Sequence, residues 1–297
     1  MAALVAVQVF FGVHYTAAKY IMRYIPPRAW AAIRIVLAAA LLMAFVAATR
    51  RHRLPRAWRD LAAIALFSIF GVVINQVCFV EGLARTATSH SAIINTSIPV
   101  ATLLIGILMG RERASPWKMA GIALSLTGVL YLIGHSGALM PGGFMEGDML
   151  TLANALSYSF FLVISKPILS RHSSLAVTAE LLAFGAVGIA LLGLPQLAAL
   201  DVQSVPTAVW ATAAFVVVFS TVAAYILNAW ALKRVEASTV AVFIYLQPLI
   251  ATVLATTVLG ESVGAEAFVS GACIFGGVAL ALWGPGRARL ASKSIQA

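Results

Sequence analysis

Two stretches of the chain repeat each other at a fixed distance, and this repeat restricts the possible folds more than any other feature. Ser91 to Glu112 reads SAIINTSIPVATLLIGILMGRE, and Val240 to Glu261 reads VAVFIYLQPLIATVLATTVLGE. Pro99 aligns with Pro248 and Glu112 with Glu261, each pair 149 residues apart. Just upstream, Gly82-Leu83-Ala84-Arg85 aligns with Ala231-Leu232-Lys233-Arg234 at the same offset. An offset near half of 297 residues marks a duplicated chain, so whatever one half builds the other must build again.

Both copies are apolar for about one membrane thickness, and the rest of the chain follows suit. Hydrophobic residues make up 62% and charged residues only 10%, against roughly 25% charged in a soluble domain. We read ten apolar spans, at 3–22, 28–48, 60–82, 88–109, 116–134, 148–168, 175–194, 207–233, 238–259 and 265–284. Each is long enough to cross a hydrocarbon layer of about 30 Å. No ten-residue alternating pattern is present, which argues against a β-barrel. The expected class is an all-α integral membrane protein with the lipid bilayer as its solvent. The first span starts almost at Met1 without a basic leader and is expected to be retained as a helix.

The net charge of +10 would suggest nucleic acid in a soluble protein. Here its distribution points to the membrane instead. With ten spans, 15 of the Lys and Arg residues fall on one side: Arg50, Arg51, Arg53, Arg56, Arg59, Arg111, Arg113, Lys118, Lys166, Arg171, Lys233, Arg234, Arg287, Arg289 and Lys293. Only Arg23, Arg28 and Arg85 fall on the other. The positive-inside rule puts the first side, and both termini, in the cytoplasm. The Gly- and Pro-bearing stretch before Asp148 separates the halves. The expected division is 1–134 and 148–286 as five-helix repeats, 135–147 as an outer, periplasmic linker, and 287–297 as a cytoplasmic tail. Five crossings is an odd number, so the second repeat must enter the membrane upside down. Inverted repeats place a substrate site near the midplane between the halves.

Polar residues at helical spacing mark the faces turned away from lipid. The first, third and fourth spans of each half carry them. From these faces we expect His14, Tyr15, Asn75, Phe79, Asn95, Tyr158, Phe161, Tyr225, Asn228, Trp230 and Tyr245 to line a substrate cavity. Pro99 and Pro248 each remove a backbone donor, and we expect hinges or gates there. Trp30, Trp58, Trp117, Trp210 and Trp283 sit near span ends and read as interface belt residues. Lys19, Arg34, Glu81 and Lys166 also lie near enough to span ends to snorkel outward. Cys78 and Cys273 sit inside apolar spans, far from any metal spacing, and read as small core residues. No metal site and no cofactor motif is expected.

Lys19, Arg34, Glu81-Gly82-Leu83, Pro99 and Glu112 resemble the first half of EamA-type members of the drug/metabolite transporter superfamily. Lys166, Ala231-Leu232, Pro248, Gly260-Glu261, Gly271, Gly276 and Gly277 resemble the second half. The resemblance covers nearly the whole chain. It implies ten helices, a place in the bacterial inner membrane, and export of small metabolites. Within the superfamily the chain looks most like the YddG-type exporters of aromatic amino acids and methyl viologen.

The residues themselves exclude other classes. There is no HExxH, no serine nucleophile elbow and no close carboxylate pair within a span, so enzymatic activity is not expected. No P-loop is present to couple ATP, and no selectivity ring suggests a channel. The reading that remains is a secondary transporter working by alternating access. Its partners are a small-molecule substrate and the bilayer, with no nucleic acid. The interior is aromatic, amide and hydroxyl in character, which favours amphiphiles such as amino acids. Lipophilic cations are the second option, through cation–π contact. The sequence leaves oligomeric state open, a monomer included.

Overall fold

The computed structural model describes residues 2–49, 54–55, 57–111, 115–138, 144–234, 240, 243–277 and 279–280. The chain forms an all-α bundle. Its helices are α1 (Ala2–Ile21), α2 (Pro27–Thr49), α3 (Trp58–Arg85), α4 (Thr88–Leu108), α5 (Pro116–Ala138), α6 (Met145–Arg171), α7 (Ser174–Ala198), α8 (Thr207–Arg234), α9 (Leu246–Leu259) and α10 (Ala265–Gly277). Among the described residues no strand occurs. Seven helices, α1–α4 and α6–α8, are long and apolar enough to cross a membrane. Helix α5 matches α2 at 23 residues, while α9 and α10 are shorter apolar helices. The expected start of the ninth span, the end of the tenth, Glu112, Trp283, the basic loop residues Arg50 to Arg56 and the tail 287–297 lie outside the described residues.

The packing repeats as the sequence does. Helix α1 packs on α9 as α6 packs on α4, and α3 packs on α6 as α8 packs on α1. Helices α2 and α7 pack on each other across the middle. Residues 149 apart touch where the symmetry axis passes. The Gln76 amide donates to the Tyr225 hydroxyl at 2.8 Å, and Ser125 Oγ donates to the Ile274 carbonyl at 3.2 Å. Gly128 meets Ser270 and Ile274 as Gly277 meets Gly121 and Ser125. Each of these contacts is the mate of the other under the same offset. Two five-helix units of odd crossing number, related this way, are inverted repeats about an axis in the membrane plane.

Among the described residues, four of the departures from ideal helices occur at related places. Helix α3 opens into a π turn at Ile69–Ile74, and α8 does so at Val216–Ala223, its repeat mate. A π turn displaces the backbone ladder and leaves carbonyls for side chains. Ser157 donates to the Phe70 carbonyl at 2.7 Å, and Tyr225 to that of Gly71 at 3.4 Å. Helix α4 breaks between Asn95 and Ile98, because Pro99 has no N–H to return to the Asn95 carbonyl. In the second half, a single 3₁₀ turn at Phe243–Tyr245 precedes Pro248.

Close helix crossings rest on glycine. A Cβ on Gly82 would come within 2.9 Å of the Gly147 carbonyl, and one on Gly12 within 2.7 Å of the Ile250 Cβ. Small residues at crossings let backbones approach where apolar burial alone gives little drive in lipid. One belt assignment is corrected. Trp30 has no exposed surface and belongs to the central core, because it lies on the face of α2 that packs inward. Trp58 is 73% exposed and Trp117 is also exposed, as belt residues would be. Cys78 and Cys273 are free and half-buried.

Candidate substrate cavity

The polar faces of α1, α3, α4, α6, α8 and α9, with one side chain from α2, converge on a single central cavity. It encloses about 690 Å³ of empty space, including the part open to solvent. His14, Tyr15, Asn75, Phe79, Asn95, Tyr158, Tyr225 and Asn228 line it, together with Gln8, Arg34, Gln76, Asn154, Ser220 and Gln247. Consecutive Asn75 and Gln76, just after the π turn in α3, both line the cavity, as consecutive His14 and Tyr15 do on α1.

The side chains bind one another in two chains. In the first, Asn95 Nδ2 donates to the Tyr15 hydroxyl at 2.7 Å, Tyr15 donates to Gln247 Oε1 at 3.3 Å, and Gln247 Nε2 donates to Gln8 Oε1 at 2.5 Å. This links the break in α4 to α1 and α9. In the second, Arg34 donates to His14 Nε2 at 2.6 Å and to Gln76 Oε1. Gln76 Nε2 then donates to Asn75 Oδ1 at 2.7 Å and to Tyr225. An imidazole accepting at Nε2 carries its proton on Nδ1. Asn228 donates to the Tyr158 hydroxyl at 2.7 Å, and Asn154 to the Asn75 carbonyl at 2.8 Å.

Both halves supply amides and aromatic rings, but the guanidinium and the imidazole come from the first half alone; His14 stacks on Phe79 with centroids 5.1 Å apart. The second half brings Tyr158 and Tyr225, with Phe161 against Tyr158 at 5.9 Å. The repeat mates of Arg34, His14 and Asn95 are Ala183, Val163 and Ile244, so a symmetric scaffold holds an amphipathic site.

A second chamber adjoins the first through Phe11, Tyr158, Tyr225 and Asn228. Phe161, Phe67, Ser165 and Leu181 line it. It lies toward the end of the bundle where Asp60 binds His172 at 2.8 Å and Arg171 at 3.2 Å. The halves are joined there, and at the opposite end as well. Thr88 gives its backbone N–H and hydroxyl to Glu261 at 2.8 and 2.7 Å, and Asp148 takes bonds from Thr86 and His90. Glu81 sits between Arg28 and Arg85 there.

Four sequence expectations need revision. Trp230 does not join the cavity; it is 44% exposed, with the Arg234 guanidinium 3.9 Å above its ring. It stands two residues past Asn228, about 200° around the helix. Arg34 does not snorkel: it is 2% exposed and lines the cavity. Lys19 turns to the carbonyls of Leu83 and Thr86 rather than to the interface. Phe161 is one turn removed from the main cavity, in the second chamber. The Tyr245 side chain lies outside the described residues. Pro99 and Pro248 are buried at the irregular turns that flank the cavity. Gln76 carried no signal in the helical stripe, and Gln247 was notable only for preceding a proline.

Among the described residues no group of three or more His, Cys, Asp or Glu could hold a metal. The chain is similar to proteins described as transporters. It is 22% identical to the "Uncharacterized transporter YyaM" of Bacillus subtilis over 86% of this chain and 84% of that one. An "Uncharacterized transporter" of Archaeoglobus fulgidus is 29% identical over 83% and 84%. The "Uncharacterized inner membrane transporter YedA" of Escherichia coli is 25% identical over 88% and 83%. A solved crystal structure matches the fold with a TM-score of 0.66 at 19% identity, covering 97% of this chain and 98% of that one. The model of the EamA-like transporter family matches residues 1–134 and 145–283, one match per repeat, and the chain belongs to that family.

Proposed function

We propose that this membrane transporter is a secondary carrier that exports small amphipathic metabolites by alternating access, with aromatic amino acids as its best-fitting cargo. The observation that carries the reading is the central cavity, built from both repeats and lined by aromatic rings and hydrogen-bonding groups from each. Bonds join the halves at both ends, Thr88 to Glu261 at one and Asp60 to Arg171 and His172 at the other, which fits a carrier whose cavity is held between two closures. Pro99 and Pro248 are the hinge candidates. In this reading the Asp60 end and both termini face the cytoplasm of a bacterial cell, as the basic residues require. The segment 135–147 is then the periplasmic link between the repeats. One chain supplies the whole cavity, so a monomer suffices.

The second reading is a lipophilic cation as cargo, favoured by the rings of Tyr158, Phe161 and Tyr225. Arg34 opposes it, since a permanent cation in the cavity would meet a buried like charge. Counterflow in proteoliposomes tests both readings. Radiolabelled phenylalanine should accumulate against internal phenylalanine with saturable kinetics. Flux that rises linearly with concentration would mean a channel, and saturable flux of methyl viologen alone would favour the second reading. Repeating the assay with an imposed pH gradient identifies the driving force.

A further inference from the structure

Arg34 is a charged side chain in the middle of a membrane protein, 2% exposed, and among the described residues no carboxylate forms an ion pair with it. Its described partners are the neutral His14 and Gln76, and the face of Trp30 at 5.9 Å. Its Nε is buried with no acceptor. Among the described residues lining the cavity none is an Asp or Glu. A guanidinium has five N–H donors and stays protonated, so it cannot escape the cost of burial by losing its charge. Such a charge is retained in a membrane where something of opposite sign completes it. His14 and Gln76 hold the planar group in place without neutralising it. In the same cavity Asn95 Oδ1 is buried with no donor, although its amide nitrogen is committed to Tyr15.

We infer that the cargo brings the missing charge: it is a carboxylate, and the carboxylate seats on Arg34. A carboxylate matches the guanidinium fork, and such pairs are among the strongest hydrogen-bonded contacts. The apolar remainder of the cargo then points toward Tyr158 and Tyr225, and Asn95 Oδ1 accepts from an N–H or O–H group on it. With no acidic residue in the lining, an ammonium on the cargo is recognised by neutral dipoles only. The carboxylate is therefore the charged group that matters, and an amino group is dispensable. The inference rests on the carrier reading and names the charge its cargo must have.

The test is equilibrium binding to the purified full chain with four probes that share a phenyl ring: phenylalanine, 3-phenylpropionate, 3-phenylpropionamide and phenethylamine. The two carboxylates should bind about tenfold or more tighter than the neutral amide, in line with a charge-assisted bond, and phenethylamine should bind weakest. Arg34→Gln should bring the carboxylate-to-amide ratio near one while leaving the amide's own affinity in place. Arg34→Lys should restore part of the ratio. The wild-type series alone is decisive if a variant fails to fold. Equal binding of the amide and the carboxylate, or a ratio unchanged in Arg34→Gln, would overturn the inference and leave the carrier reading standing. Failure of every phenyl probe, with Arg34-dependent binding of aliphatic carboxylates such as leucine or 4-methylpentanoate, would remove the aromatic cargo and keep the carboxylate. Failure of all carboxylates, aromatic and aliphatic, would overturn it.

Discussion

Tyr158 shows how a single side chain divides its work. Its ring faces Phe161 and both chambers, and its hydroxyl accepts from Asn228. Removing a buried ring costs about 0.5–1.5 kcal/mol of aromatic contact beyond its area. Tyr158→Ala should therefore raise the apparent KM for an aromatic cargo several-fold in liposomes while the protein still inserts. Trp58→Ala, at a lipid-exposed ring, should leave KM unchanged. Equal KM for both variants would reduce Tyr158 to packing. Tyr158, Tyr225 and Asn228 were legible as cavity residues because polar tips deep in apolar spans have few other places to go. Arg34 was not, because distance from a span end cannot tell a side chain that snorkels from one that turns inward. Gln76 was hidden for a different reason: it stands next to Asn75, one position off the polar stripe that helical spacing picks out.

The helices themselves were legible from apolar length, and the proline in α4 did announce a break. Their ends were not, since the end contacts join residues far apart in sequence. The α3–α6 crossing depends on Gly82 lying against the Gly147 carbonyl and Thr151. Gly82→Val should lower the melting temperature in detergent, because forcing carbon atoms into a packed contact costs about 1–3 kcal/mol. The Glu261 end makes a sharper prediction. Glu261 accepts both groups that Thr88 offers, at the first turn of α4, and so ties α9 to α4. Glu261→Ala should loosen that end. A cysteine at Asn95, in a background with Cys78 and Cys273 replaced by serine, should then react faster with an impermeant maleimide added from the Glu261 side. An unchanged rate would mean the tie contributes nothing to closure.

Orientation belongs to the whole molecule. Met145 and Ser170 are exposed near opposite ends of α6, and the basic residues assign the Ser170 end to the cytoplasm. Cysteines at the two sites should label from opposite faces of sealed vesicles, Met145→Cys from outside. Labelling from one face would break the odd-crossing argument on which the inverted repeat rests. The duplication was legible at the offset of 149, and with it the architecture. The asymmetric chemistry at its centre was legible only in part, because the sequence shows which residues repeat but not which non-repeating ones meet.

The contacts between residues 149 apart carry a mechanical consequence. When an inverted-repeat carrier changes sides, each half takes on the shape its mate has given up. A distance between two unrelated positions then changes, whereas a distance between mates maps onto itself. Gln76 with Tyr225, and Ser125 with Ile274, are such mates already in contact. Under the proposed alternating access they would be stationary points about which the rest of the bundle turns, and one lies in the cavity wall beside Arg34. A short thiol crosslink between cysteines at Ser125 and Ile274 should leave transport running, while one between Thr88 and Glu261 should stop it. The cargo would thus be held at the fulcrum of the motion, where the site moves least while the ends of the bundle open and close.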